Sequence, residues 1–125
     1  MADIQIPAGA TVVVSSSGNV AAAAATATLA VPADGKKNYV TGLMITAAGA
    51  TAGLPVVATI TNLIGGTMSF IYSAPAGATI GATPYIAIFP IPVPASAVST
   101  SIVLTLPSLG LGNTNAAVTL FGFTL

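Results

Sequence analysis

The sequence has 125 residues and four charged side chains, Asp3, Asp34, Lys36 and Lys37, for a formal net charge of zero. Charged residues make up 3% of it and apolar residues 54%, whereas an ordinary soluble surface is ~25–35% charged. Such a composition argues against intrinsic disorder, against the basic patch that nucleic acid requires and, with no cysteine, against a disulfide scaffold.

The length fits one domain, read as an N-terminal arm over residues 1–9 followed by a single domain over residues 10–125. In the arm, Ile4 and Ile6 suit a segment that docks on a neighbour. The alternative is a frayed terminus, which has no use for two isoleucines. Met1-Ala2-Asp3-Ile4-Gln5 places an acid where a signal peptide carries its basic region, so no secretion signal is expected. The most apolar Ala-rich run, Val20 to Val31, is shorter than the ~20 residues of a spanning helix, so no transmembrane helix is expected either.

Thirteen Gly and nine Pro punctuate the chain in the manner of short strands between turns. Strand one is predicted over Ala10 to Ser15, followed by the polar stretch Ser15-Ser16-Ser17-Gly18-Asn19. A helical reading works only for Val20 to Ala25. Strand two covers Ala24 to Val31, and the turn Pro32-Ala33-Asp34-Gly35 follows it, with Asp-Gly suited to positive φ. Strand three covers Tyr39 to Ala47, with Tyr39, Leu43 and Ile45 facing inward and Thr46 outward. Strand four, Val56 to Leu63, and strand five, Thr67 to Ser73, form a hairpin through Gly65-Gly66, a pair that adopts a primed turn at little steric cost. On strand five, Met68, Phe70 and Tyr72 share one face.

Strand six, Pro84 to Phe89, is apolar on both faces, including Tyr85 and Phe89. A monomer would expose one of those faces, so burial between subunits is expected. Pro90-Ile91-Pro92-Val93-Pro94 reads two ways. Pro90, Pro92 and Pro94 can lie on a partner as a polyproline stretch, or form a stiff crossover that cannot continue a ladder; the crossover is preferred. Strand seven covers Ser101 to Leu106 and strand eight Ala116 to Thr124. Eight strands in one domain predict an all-β antiparallel sandwich. The partner contacts singled out are therefore Ile4, Ile6, Tyr85, Phe89, Pro90, Pro92 and Pro94.

The residue inventory argues against catalysis. Without His or Glu the usual general bases are missing, and neither a Ser-His-Asp nor a Cys-His arrangement can be assembled. Zinc wants Cys or His, calcium several carboxylates. Gly110-Leu111-Gly112 lacks the lysine and helix of a phosphate loop. No enzyme activity, cofactor or metal is expected. The cluster Asp34-Gly35-Lys36-Lys37-Asn38 reads as a solvated turn more readily than as a contact patch.

The phrases Asn38-Tyr39-Val40-Thr41-Gly42-Leu43-Met44-Ile45-Thr46, Gly65-Gly66-Thr67, Pro75-Ala76-Gly77-Ala78-Thr79 and Gly110-Leu111-Gly112-Asn113-Thr114-Asn115-Ala116, with the final Gly122-Phe123, resemble small neutral virion proteins of tailed bacteriophages. The resemblance runs from about Lys37 to the C-terminus and rests on turn-and-strand phrases. It implies a jelly roll acting as a head decoration, or cement, protein, with no catalytic residues to carry over. It further implies a homotrimer bound to the major capsid protein on the capsid's outer surface, assembled in the host cytoplasm. Under one labelling of the strands it would place two, seven, four and five in one sheet; under another, strands four and five would cross between sheets, at odds with their direct hairpin. Other readings are a different virion part (head fibre, neck or spike base), a bacterial surface or fimbrial subunit, and an eight-stranded outer-membrane barrel. The barrel is disfavoured by 6% aromatic content, too little for aromatic girdles.

Overall fold

A computed structural model of the chain describes residues 6–49, 55–74, 76 and 84–125. Period-two alternation sets its strands, because successive side chains on a strand point to opposite faces. In Ile102–Leu106, Ile102, Leu104 and Leu106 are buried while Val103 and Thr105 are half-exposed. In Ala25–Leu29, Ala25, Ala27 and Leu29 are buried and Thr26 and Thr28 exposed.

Eight strands result: β1 (Thr11–Ser16), β2 (Ala25–Leu29), β3 (Asn38–Ala48), β4 (Val56–Leu63), β5 (Gly66–Tyr72), β6 (Tyr85–Pro94), β7 (Ile102–Leu106) and β8 (Asn115–Thr124). They form two antiparallel sheets of four, in the orders β1-β8-β3-β6 and β2-β7-β4-β5. The protein is thus an all-β sandwich. Two sheets with free edges are not a closed eight-stranded barrel. Val20 to Ala25, the stretch that allowed a helix, forms no helix; Val20 bridges to Ala116, and Ala25 opens β2.

The core lies between the sheets. Large side chains such as Leu43, Ile45, Ile60, Leu104 and Leu120 meet small ones at Ala27, Ala47, Ala58 and Ala116. The mixture lets the two layers interdigitate at the ~10 Å sheet spacing.

Four details differ from the sequence reading. The β4–β5 hairpin turns at Ile64-Gly65, one residue early, with Leu63 opposite Gly66. Asn62 (φ 68°) adopts the left-handed conformation and shifts the register between Ile60 and Leu63; Gly65 (φ 85°) supplies the positive φ of the turn. Strands β4 and β5 therefore pair within one sheet and do not cross between sheets, although β2, β7, β4 and β5 do share that sheet.

On β3, a bulge at Thr41 changes the register between Val40 and Gly42 against both neighbours. An extra residue inverts the phase of everything before it. Val40 is consequently buried in the core, and Tyr39 turns away from it to stack on Phe123 at 4.9 Å and 16°.

The third difference is Pro90 to Pro94. The segment continues β6 rather than crossing over: Val93 pairs with Val40 and Pro94 with Tyr39. Proline is tolerated because β6 is an edge strand, where a missing N–H faces no partner, and because a register shift absorbs the residues opposite Thr41. Finally, β1 runs one residue further than expected, so that Ser16 belongs to the strand.

Two asparagines fix the loops at opposite ends of β3. The buried Asn38 side chain donates through Nδ2 to the carbonyls of Ala30 (2.8 Å) and Thr100 (3.1 Å), with Leu29 O at 3.4 Å. Asn113 Nδ2 donates to Ala48 O and Asn115 O, both at 2.9 Å, and its Oδ1 accepts from the Ala22 amide at 3.0 Å. Neutral amides thus hold together chain segments that other proteins often tie with charges.

Candidate interaction surface

The outward faces of the two sheets differ in chemistry. Across β2-β7-β4-β5, cross-strand pairing aligns Thr26, Thr105, Thr59 and Ser69 in a row. These hydroxyls give a neutral, hydrated face, interrupted by exposed Val57 and Ile71. The outward face of β1-β8-β3-β6 is apolar. Val12 and Val14 on β1 are paired with Phe123 and Phe121 on β8, and Gly42 on β3 lies between Phe121 and Ile88 on β6. Val12, Val14, Ile86 and Ile88 remain 49–62% exposed.

This face holds a groove of about 470 Å³ open to solvent. Its walls are Val12, Val14 and Phe121 on one side and Ile86 and Ile88 on the other, and Ile6 lies against it. The floor is shallow in side chains because Gly42 has none. A Cβ there would meet the Ala87 carbonyl oxygen at 2.8 Å, so the close approach of β3 and β6 depends on glycine. Gly122, also at the groove, is more restricted: a Cβ would collide with the Tyr39 carbonyl oxygen and lie 3.1 Å from Leu29 Cδ1. The Thr41 hydroxyl is the one polar side-chain group among the groove's lining residues. Among the described residues no titratable side chain lines the groove, so those residues offer it no acid, base or ligating group.

The residues expected to touch a partner do not form one surface. Ile4 lies outside the described residues, whereas Ile6 is 41% exposed at the groove. Tyr85 remains 40% exposed at the start of β6, with its ring stacked on Phe70 at 5.6 Å and edge-on to Tyr72 at 6.4 Å. Phe89 is half-buried against the core. Pro90 is exposed, and Pro92 and Pro94 are half-buried along the β6 edge. The outward residues of that strand are instead Ile86, Ile88 and Ile91, the last 83% exposed. Val12, Val14, Gly42 and Phe121 were not anticipated. The run Val12-Val13-Val14, apolar at consecutive positions, carried the same two-faced signal as strand six.

The described charges, Asp34, Lys36 and Lys37, sit together before β3. Lys36 N donates to Ala33 O across the turn, Gly35 has φ 77°, and Lys37 exchanges backbone hydrogen bonds with Leu125 at 3.0 and 3.1 Å. Among the described residues no group of three or more His, Cys, Asp or Glu side chains is gathered, and no helix is long and apolar enough to cross a membrane. No family model, curated protein or solved structure matches this chain.

Proposed function

We propose that this protein is a structural subunit of a virion, a head decoration protein that binds the major capsid protein from outside and stabilises the shell as a homotrimer. One observation carries the reading: exposed apolar side chains occur on both sheets and beyond them, at Val12, Val57, Ile71, Ile86, Ile91 and Leu111, in a chain with four charges. Extended apolar exposure of this kind marks protein interaction surfaces, and here it is spread over more than one face, as sister chains and a shell together would require. The strand orders β1-β8-β3-β6 and β2-β7-β4-β5 support the same reading, since we take them as the winding of an eight-stranded jelly roll, an architecture used by viral capsid proteins.

The chemistry of the surface sets the test. An interface without ion pairs loses little when charges are screened, whereas one held by lysines and carboxylates weakens. The protein is expected to remain on purified heads washed in molar salt, and free protein to scatter light as three times its 12.0 kDa chain. Release by salt alone, or a monomer in solution, overturns the proposal.

A further inference from the structure

We infer that the Asp34-Gly35 turn is a site of spontaneous backbone modification, at which Asp34 cyclises onto the Gly35 amide and reopens as isoaspartate. The step needs a side-chain carboxyl followed by an unshielded amide nitrogen. The sequence offers that pair once: the other aspartate, Asp3, precedes Ile4, and no asparagine precedes a glycine. The inference concerns the chain alone and is independent of the virion reading.

The fold leaves both reacting groups open. Asp34 and Gly35 are exposed. Lys36 N donates to Ala33 O at 3.0 Å across the turn, and Gly35 at φ 77° takes the third position. In a type II turn of this kind the central peptide, Asp34–Gly35, points its N–H away from the turn. Among the described residues the Gly35 amide donates to nothing, and no hydrogen bond or ion pair holds the Asp34 carboxyl. A Cβ added to Gly35 would meet nothing within 4 Å, so the peptide plane has room to turn toward the carboxyl.

The Gly35 nitrogen attacks Asp34 Cγ. A C–N bond forms, the carboxyl C–OH bond breaks, and the hydroxyl leaves with the amide proton as water, giving a five-membered imide. Water then adds to either ring carbonyl. Opening at Cγ restores aspartate; opening at the main-chain carbonyl leaves Gly35 joined through Cγ, with one more carbon in the main chain and the charge unchanged. The effect stays local. Beyond the turn, Lys36 O accepts from Ser99 N at 2.8 Å, and the buried Asn38 side chain is tied to Ala30 and Thr100. A longer turn should loosen the Ser99 bond while the Asn38 tie holds the sandwich.

Folded protein kept in heavy-oxygen water should take up label at residue 34, recovered as isoaspartate on fragmentation. Turning the peptide opens one hydrogen bond, Lys36 N to Ala33 O, so the rate should lie within about fivefold of that of a short peptide of the same sequence. Asp34→Asn, which loses ammonia more readily than a carboxyl loses water, should convert faster at the same position. Asp34→Glu, which would need a six-membered ring, should stay unlabelled. In converted protein the Ser99 amide should exchange hydrogen faster, with the β7 amides still protected. An unlabelled Asp34 after the peptide has converted overturns the inference, and so does an Asp34→Asn protein that keeps its side-chain amide over that time. Unchanged Ser99 exchange in converted protein overturns the local loosening. None of these results bears on the salt-wash and light-scattering tests of the virion reading.

Discussion

Replacing Asn38 with aspartate keeps the side chain's shape and reverses its hydrogen-bonding role. Asn38 is 1% exposed, and its amide nitrogen faces the carbonyls of Ala30, Thr100 and Leu29. An –NH₂ has two hydrogens, which the two shorter contacts use. In Asn38→Asp an acceptor oxygen points at three acceptors. An uncompensated buried charge costs about 3–5 kcal/mol, a large part of the ~5–15 kcal/mol that holds a domain folded. The carboxyl can avoid that cost by keeping its proton, so its pKa in the folded state lies above the unfolded value of ~3.9. With the folded value raised, stability is retained below pH ~4, where both states are protonated. It falls by about 1.4 kcal/mol per pH unit as the unfolded chain ionises first, until the folded pKa is reached. Urea unfolding of variant and parent, followed by circular dichroism at one protein concentration, gives the difference at each pH. The gap should be small at pH 4 and widen to several kcal/mol by pH 7. Parallel stabilities across that range would show that the carboxyl at this position meets water rather than those carbonyls, and would refute the burial of Asn38 among them.

Tyr72 is buried, and its hydroxyl has no hydrogen-bond partner among the described residues. Burial pushes its pKa up from 10.0, while the nearby Ala47 backbone pulls it down. Removing an unpaired buried hydroxyl is close to neutral, so Tyr72→Phe should change urea stability by less than about 1 kcal/mol; it should also remove part of the parent's loss of stability as pH rises above 10, where the unfolded chain ionises first. Gly42→Ala forces β6 away from a 2.8 Å contact and should cost about 1–3 kcal/mol in the same assay. Gly122→Ala meets backbone more closely and should cost more than Gly42→Ala; the opposite ranking would contradict the packing at Tyr39. Asn113→Ala leaves the Ala22 amide without its acceptor, and that amide should exchange hydrogen faster with solvent while amides of β7 keep their protection.

The strands were legible because burial imposes period two on them, and β7 shows it over every residue. What failed did so where one residue changes the geometry. The Thr41 bulge inverted the expected inward position of Tyr39, and Asn62 in the left-handed region moved the hairpin turn off Gly65-Gly66. Neither Thr nor Asn at those positions announces a bulge. Pro90, Pro92 and Pro94 argued against a strand because proline breaks central ladders; whether a strand lies at an edge is decided by the partner it lacks, which is a property of the sheet. The two asparagine pins join segments up to 91 positions apart and leave no local pattern. The groove was half legible. Apolar residues on both faces of strand six signalled an uncovered surface, but its second wall comes from β1 and its floor from Gly42, brought together by pairing through β8 and β3.

A reconstruction of phage particles washed in molar salt tests the structural role most directly. Expected is density for this eight-stranded sandwich on the outside of the shell, in groups of three, with the exposed apolar residues of both sheets covered by sister chains and capsid. Shells bare of this density after the wash, or isolated copies with those apolar faces open to solvent, would contradict it.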